Sequence, residues 1–311
     1  MTATDLPPLT PLTALTQWRI DWVALVIVVT IVAMYGSGVR RQYRRGHTWP
    51  KSRVAAFVAS GGLLAIAATS SIAAYGDVLF WVDVVEHVLL SMVVPVFLAM
   101  AWPVTLAVQV LAPRPRRILF AVLRSRAAAV AAHPVVALPL FMAAFVVPYY
   151  TPWFDATLRY PLLHSIQFLG YLFVGCLLFW PLVGLEPVPG RVPSLFRQAL
   201  LLVSLPMYVV VALAVVNGNT VFAAGYYSGL DRGWGPSPQE DQEIGGALLA
   251  WAGNGFSLAF SLVLMLLWMR EESIRTRGAD RTQDRLVAQG REEDTELALY
   301  NAWLRSLDDK H

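Results

Sequence analysis

Seven stretches of the chain are apolar around every face rather than along one. They are Trp22–Val39, Val54–Ala74, Val78–Met100, Pro134–Tyr149, Leu162–Val183, Ala199–Val216 and Gly245–Met269, with the polar residues gathered between them. A helix that is apolar all round belongs in a large core or in a membrane. A hydrocarbon layer about 30 Å thick takes about 20 residues at 1.5 Å of rise each, and all but the fourth stretch approach that length. The pattern therefore predicts an all-α fold: a polytopic membrane helix bundle of seven transmembrane helices. The fourth stretch is the weakest span, with Pro139 inside it and Pro148 near its end. The predicted division is an extracytoplasmic segment over 1–21, a membrane domain over 22–269 and a charged tail over 270–311. Residues Met1–Gln17 have neither a basic n-region nor a cleavage site and do not read as a signal peptide.

Charge placement orients this bundle. Six Lys and Arg residues lie in Arg40–Arg53, five in Trp102–Ala132, two in Gly184–Arg197 and eight from Arg270 onward. The opposite side keeps only Arg19, Arg159 and Arg232. Basic residues concentrate in cytoplasmic loops, and here the alternation holds at every crossing. The expected topology is N-terminus out, C-terminus in.

Composition strengthens the membrane reading. The chain is 57% hydrophobic and 14% charged over 311 residues, with a mean hydropathy of +0.54. A soluble domain carries about 25% charged residues, and one soluble core could not hide so much apolar surface. The net charge of +3 is too small to argue for nucleic acid. A single cysteine, Cys176, excludes an intramolecular disulfide and any CxxC motif. The 22 arginines against 2 lysines, together with abundant alanine, hint at a GC-rich bacterial genome.

Two segments between the third and fourth spans, Thr105–Leu111 and Ile118–Arg126, pair apolar residues with arginines or border them. Both are expected to lie as interfacial helices on an anionic inner leaflet. In the tail, Arg281, Asp284, Arg285, Arg291 and Glu292 mix charges. Leu297, Tyr300, Trp303, Leu304 and Leu307 recur at helical spacing, which suggests a short amphipathic helix.

The candidate chemistry is the set of ionisable groups within the spans. Each costs at least about 2.5–3.5 kcal/mol at mid-bilayer and wants an explanation. Asp83, Glu86 and His87 fall on one helical stripe about 100° wide in the third span. Asp83 and His87 are a turn apart, where a carboxylate can hydrogen-bond an imidazole and fix its tautomer. His164 and Gln167 open the fifth span from the same side. Asp83, Glu86, His87 and His164 are therefore expected to converge in an outward-facing polar pocket, as candidate metal ligands or a proton relay. The competing account is a structural set of ion pairs. Met92 and Cys176 read as packing, and His47, His133 and His311 as boundary or terminal residues without assigned chemistry. Asp241 and Glu243 are expected to cap the last span, Gly246 and Ala250 to admit a neighbouring helix, and Asn254 to hydrogen-bond across helices. No Ser-His-Asp set, phosphate loop or HExxH is present, so the chain is not expected to be an enzyme.

Several strings resemble those of bacterial CtaG-type cytochrome c oxidase assembly factors. They are Tyr35 with Gly38–Arg53, Phe80–Pro95 leading into Ala101–Leu106, Tyr149–His164, Gly175–Pro187, and the segment from Asp241 to Trp251. They occur in the family's order across roughly Tyr35 to Arg285. The resemblance implies a multi-pass plasma-membrane protein that aids maturation of a haem–copper oxidase, by assisting copper delivery. Its expected partners are the lipid bilayer and a cytochrome c oxidase subunit. The chain also departs from the pattern that the resemblance implies. Asp83 stands where the family has the first of two histidines four apart, and Glu86 where it has glutamine. Phe168 or Gly170 replaces a second histidine after His164. A histidine near Tyr208 and a glutamate near Asn254 are usual in the family and are missing here. Two other functions stay open: a structural membrane subunit without metal, and a proton- or ion-coupled transporter.

Overall fold

The computed structural model describes residues 6–184, 193–218, 220–230 and 232–288, with a few positions between 297 and 305. Among the described residues every regular element is helical and no strand occurs. Two short helices, α1 (Pro11–Thr16) and, later, α4 (Ser71–Tyr75), flank the long α2 (Trp22–Arg44) and α3 (Lys51–Thr69). The third expected span is broken into α5 (Phe80–Val88), a π-helical turn over Leu89–Val93, and α6 (Val94–Ala101). Three helices without long apolar runs follow: α7 (Pro103–Val110), α8 (Pro113–Leu123) and α9 (Arg126–Ala131). Then come α10 (Pro134–Val146), α11 (Pro152–Arg159), α12 (Pro161–Val183), α13 (Ser194–Val216), α14 (Ala224–Tyr227) and α15 (Pro238–Ala288).

Among the described residues, six helical stretches are long and apolar enough to cross a bilayer: Trp22–Arg44, Lys51–Tyr75, Phe80–Ala101, Pro161–Val183, Leu195–Val216 and Pro238–Leu266. The fourth expected span is the exception. Its helix, Pro134–Val146, has 13 residues, which rise only about 20 Å. The chain divides into two compact units, Met1–Ser261 and Leu262–His311, and the features described below lie in the first. In the second, Leu297, Tyr300 and Trp303 are helical, while Leu304, Leu307, Arg291 and Glu292 lie outside the described residues. So does 185–192, which holds most of the expected Gly184–Arg197 loop.

The third span is the most buried, and it forms the axis of the first unit. Its α6 packs on α3 and α12, and α12 also meets the π turn, α10 and α11. The π turn has an identifiable cause. Pro95 has no N–H to return to the Ser91 carbonyl, and its ring crowds the preceding turn. A second element exploits that bulge. A Cβ at Gly175 would lie 2.1 Å from the Ser91 carbonyl oxygen and 2.6 Å from the Pro95 ring. Only glycine lets α12 approach this closely. The Trp180 indole then donates to the Pro95 carbonyl at 3.0 Å and fixes the register of the two helices.

The start of α15 packs in a similar way. Gly245 lies against the Phe80 ring, Gly246 against Val216 and the Ala212 carbonyl, and Gly253 against the Tyr208 ring. Gly246 thus plays the close-approach part expected of it. Asn254 does not reach across helices: its amide donates to the Ala250 carbonyl of its own helix at 2.9 Å. Side chains do meet between α13 and α15 at Ser204 with Ser257 and at Gln198 with Ser261.

Candidate functional site

The polar interior lies where α2, α5 and α12 begin and α10 ends, at the opposite end of these helices from the arginine-rich turns. The stripe predicted on the third span faces protein. Asp83, Glu86 and His87 are 5%, 4% and 0% exposed. The four candidate residues, however, separate into two hydrogen-bonded groups.

The first group is Asp83, Tyr149 and His87. The expected direct Asp83–His87 bond is replaced by a bridge through Tyr149, just beyond the end of α10. The Tyr149 hydroxyl donates to Asp83 Oδ2 at 3.1 Å and lies 3.2 Å from His87 Nδ1. With its proton committed to the carboxylate, the hydroxyl oxygen accepts from Nδ1–H. That arrangement fixes the Nδ1-protonated tautomer and leaves Nε2 as a bare lone pair. His87 Nε2 is fully buried and has no hydrogen-bond partner. The imidazole itself is clamped between two aromatic faces, with ring centroids 3.9 Å from Phe145 and 3.5 Å from Tyr171 and planes within 9° in both cases. The slot is flat and apolar, and it holds the ring in one orientation.

The second group is centred on His164 in the first turn of α12. Its Nε2 lies 3.5 Å from Glu86 Oε2, and its Nδ1 3.4 Å from Asp21 Oδ2. Each ring nitrogen therefore faces a carboxylate, so the histidine ties α12 to both α2 and α5. Asp21 has a second task as the N-cap of α2, accepting from the N–H groups of Val23 at 2.9 Å and Ala24 at 3.0 Å. Burial alone would raise its pKa. The hydrogen bonds from His164 and from those backbone groups outweigh that and hold the carboxyl below the usual range. Beside this group, Gln167 accepts from the Trp153 indole at 2.7 Å and joins α12 to α11.

Sequence reasoning missed two members of this interior and mistook the role of a third. Asp21 was visible only as an N-cap signal before an apolar run. Tyr149 stood at the edge of a span with nothing to mark it as a bridge. Asp241 was expected to cap its own helix, but Ser237 and Glu240 do so: the Glu240 carboxylate accepts from Ser237 N–H at 2.8 Å, and Ser237 Oγ accepts from Glu240 N–H at 3.3 Å. The Asp241 carboxylate instead receives the free N–H groups of Phe80 and Trp81 at 2.9 and 3.0 Å, capping α5 from across the bundle. Arg232 pairs with it at 3.3 Å. The neighbouring Gln242 accepts from Phe222 N–H and donates to the Val215 carbonyl, both at 2.9 Å, fastening α15 to the end of α13. The DQ pair is thus a clamp on three elements. It holds the helix that carries Asp83, Glu86 and His87.

The donor set does not fit a resident copper ion. Among the described residues, no three His, Cys, Asp or Glu side chains gather where one ion could hold them. Soft sulfur donors, which select Cu(I), are not in the hydrogen-bonded set. Cys176 lines a separate groove of about 950 Å³ between α8–α9 and α12, whose walls, including Val122, Leu169, Phe173 and Trp180, are almost wholly apolar.

A polytopic helical membrane protein with a buried, partnered carboxylate–histidine interior is the class that this fold and site define. Residues 33–271 match the cytochrome c oxidase caa3 assembly factor family, and the chain belongs to that family. It is 32% identical over 300 residues to the uncharacterized protein ML1998 of Mycobacterium leprae, covering 94% of this chain and 45% of that protein. It is 33% identical over 312 residues to the uncharacterized proteins Mb0105 of Mycobacterium bovis and MT0111 of Mycobacterium tuberculosis, covering 97% of this chain and 46% of each. The chain therefore spans less than half the length of these relatives. No solved structure matches it.

Proposed function

We propose that the chain is an accessory factor for assembly of a haem–copper cytochrome c oxidase, working as a multi-pass protein of a bacterial plasma membrane. The observation that carries this reading is its membership of the caa3 assembly factor family over 33–271. In the same reading the helices cross seven times with the N-terminus outside, as the distribution of arginines argues. Residues Asp83, Glu86, His87 and His164, with Tyr149 and Asp21, form the working interior. Their task is to hold His87 in one tautomer beside an aromatic slot and to keep two carboxylates and a histidine together at the outer ends of α2, α5 and α12. Any copper handled during oxidase maturation is cargo.

A second reading has its own support. Every carboxylate in the set has a partner on another element, as expected of a structural subunit whose ion pairs only fasten helices. Deletion of the gene, followed by oxidase spectra and co-purification with oxidase subunits, separates an oxidase role from none. An oxidase spectrum unchanged by deletion would end the leading reading.

A further inference from the structure

A second polar site lies at the other end of the bundle, on residues that the assembly reading does not use. Gln42, Arg45, His47, Trp49, Arg53 and Gln109 line a cleft of about 480 Å³ where α2 ends, α3 begins and α7 passes beside them. We propose that this cleft binds a phosphate-bearing anion.

Among the described residues, no acidic side chain pairs with the charge of this cleft. The sequence has no Asp or Glu between Asp21 and Asp77, nor between Glu86 and Asp155, so none of the lining elements carries an acid. Neither Arg45 nor Arg53 takes part in any ion pair among the described residues.

The cleft is also built in advance. The Arg53 guanidinium stacks over two indoles, 3.5 Å from the Trp102 ring centroid and 4.7 Å from that of Trp49. Stacking fixes the plane of the fork and leaves its N–H edges for an acceptor. Trp102 adopts left-handed backbone angles, φ 56° and ψ 51°, at the junction of α6 and α7. Such a conformation is unfavourable for a non-glycine residue and persists only where its surroundings enforce it. The other indole is held as firmly. Trp49 Nε1 donates to the Tyr35 hydroxyl at 3.0 Å, and that hydroxyl donates to the Ala101 carbonyl at 2.9 Å. Tyr35 in turn stacks on Phe57 at 3.7 Å.

The opposite wall is fixed too. Gly46, at φ +77°, closes α2 with paired bonds from its own N–H to the Tyr43 carbonyl and from His47 N–H to the Gln42 carbonyl. That turn brings His47 to the cleft. Arg45 donates to the Gln109 carbonyl at 2.9 Å, and the Gln42 and Gln109 side chains pair with each other. Two guanidinium groups, an imidazole and two amides around one space suit a phosphate oxyanion, which guanidinium binds bidentately. The phosphate can belong to a phospholipid headgroup or to a soluble phosphate compound.

The test uses the purified full chain in a zwitterionic detergent at low salt, with two probes: inorganic phosphate, and short-chain phosphatidylglycerol. Calorimetric titration is expected to show saturable binding at one site. Phosphatidylglycerol binding alone assigns the headgroup, whereas phosphate binding that competes with it assigns the soluble source. Arg53→Gln is expected to weaken binding at least tenfold. Arg53→Lys should weaken it as well, because the charge stays but the stacked fork is lost. Arg117→Gln, on α8 and outside the lining, should leave it unchanged. Should either Arg53 variant fail to fold, Arg45→Gln carries the test, since Arg45 is exposed and its guanidinium donates to a backbone carbonyl rather than to a side chain. Absence of saturable binding with both probes overturns the proposal. So does wild-type affinity in Arg45→Gln and the folded Arg53 variants.

Discussion

His87 is the residue at which structure and chemistry can be told apart. Its ring fills a slot between Phe145 and Tyr171, so His87→Ala confounds loss of nitrogen with loss of packing. His87→Phe keeps a flat ring in the slot and removes both nitrogens. Burial of an unpartnered Nε2 is unfavourable, so the phenylalanine variant should be at least as stable as the native protein. The expected outcome is normal membrane abundance and an unshifted thermal midpoint, with accessory function lost. Normal function in His87→Phe would make the histidine a packing residue. At this scale the sequence was partly legible. Three ionisable groups on one stripe of an apolar helix had to face protein, and they do. Their partners were not legible, because Tyr149 and Asp21 come from other elements, 66 and 143 residues away from the groups they bond. Only the tertiary fold brings them together. The same separation in sequence hid that the four residues fall into two hydrogen-bonded groups.

Among the elements, the packing of α12 on the π turn is the tightest constraint. Gly175→Ala would drive a methyl group into the Ser91 carbonyl and the Pro95 ring, so the helices must separate. Overpacking of this kind costs about 1–3 kcal/mol. The Trp180–Pro95 bond should loosen with it. A lowered thermal midpoint in detergent, with faster exchange of the Trp180 indole proton, is the expected result. The clamp by Asp241 gives a second prediction. Asp241→Ala strands two N–H groups at the start of α5 and leaves the Arg232 guanidinium unpaired in a buried place. Breaking a buried pair on one side costs about 3–5 kcal/mol. Asp241→Asn, which keeps an acceptor for the helix, should fall between the two in thermal denaturation. Helix existence was readable from apolar runs alone. The break at the π turn was not read, although Pro95 is its signal, and neither was the destination of the Asp241 carboxylate. A capping residue looks the same in sequence whichever helix it caps.

On the scale of the whole molecule, the expected seven crossings depend on the fourth. Thirteen residues of helix are short for a bilayer, and Pro139 interrupts their hydrogen bonding. The charge pattern nonetheless argues for a crossing there, because Trp102–Ala132 is basic and Thr151–Tyr160 holds a single arginine. Replacing Cys176 by alanine and placing single cysteines at the exposed Ser228 or in Arg40–Arg53 tests the orientation with an impermeant thiol reagent. Labelling at Ser228 but not in the basic loop of intact cells is expected, and the reverse would refute the topology. The central claim is that the chain serves oxidase assembly through its buried interior. Its most direct test is the reduced-minus-oxidised haem spectrum of membranes from a deletion strain, complemented with the native chain or with His87→Phe at matched abundance. The account predicts that the oxidase band is lost on deletion, restored by the native chain and not restored by the variant. An oxidase band unaffected by deletion, or fully restored by His87→Phe, would contradict it.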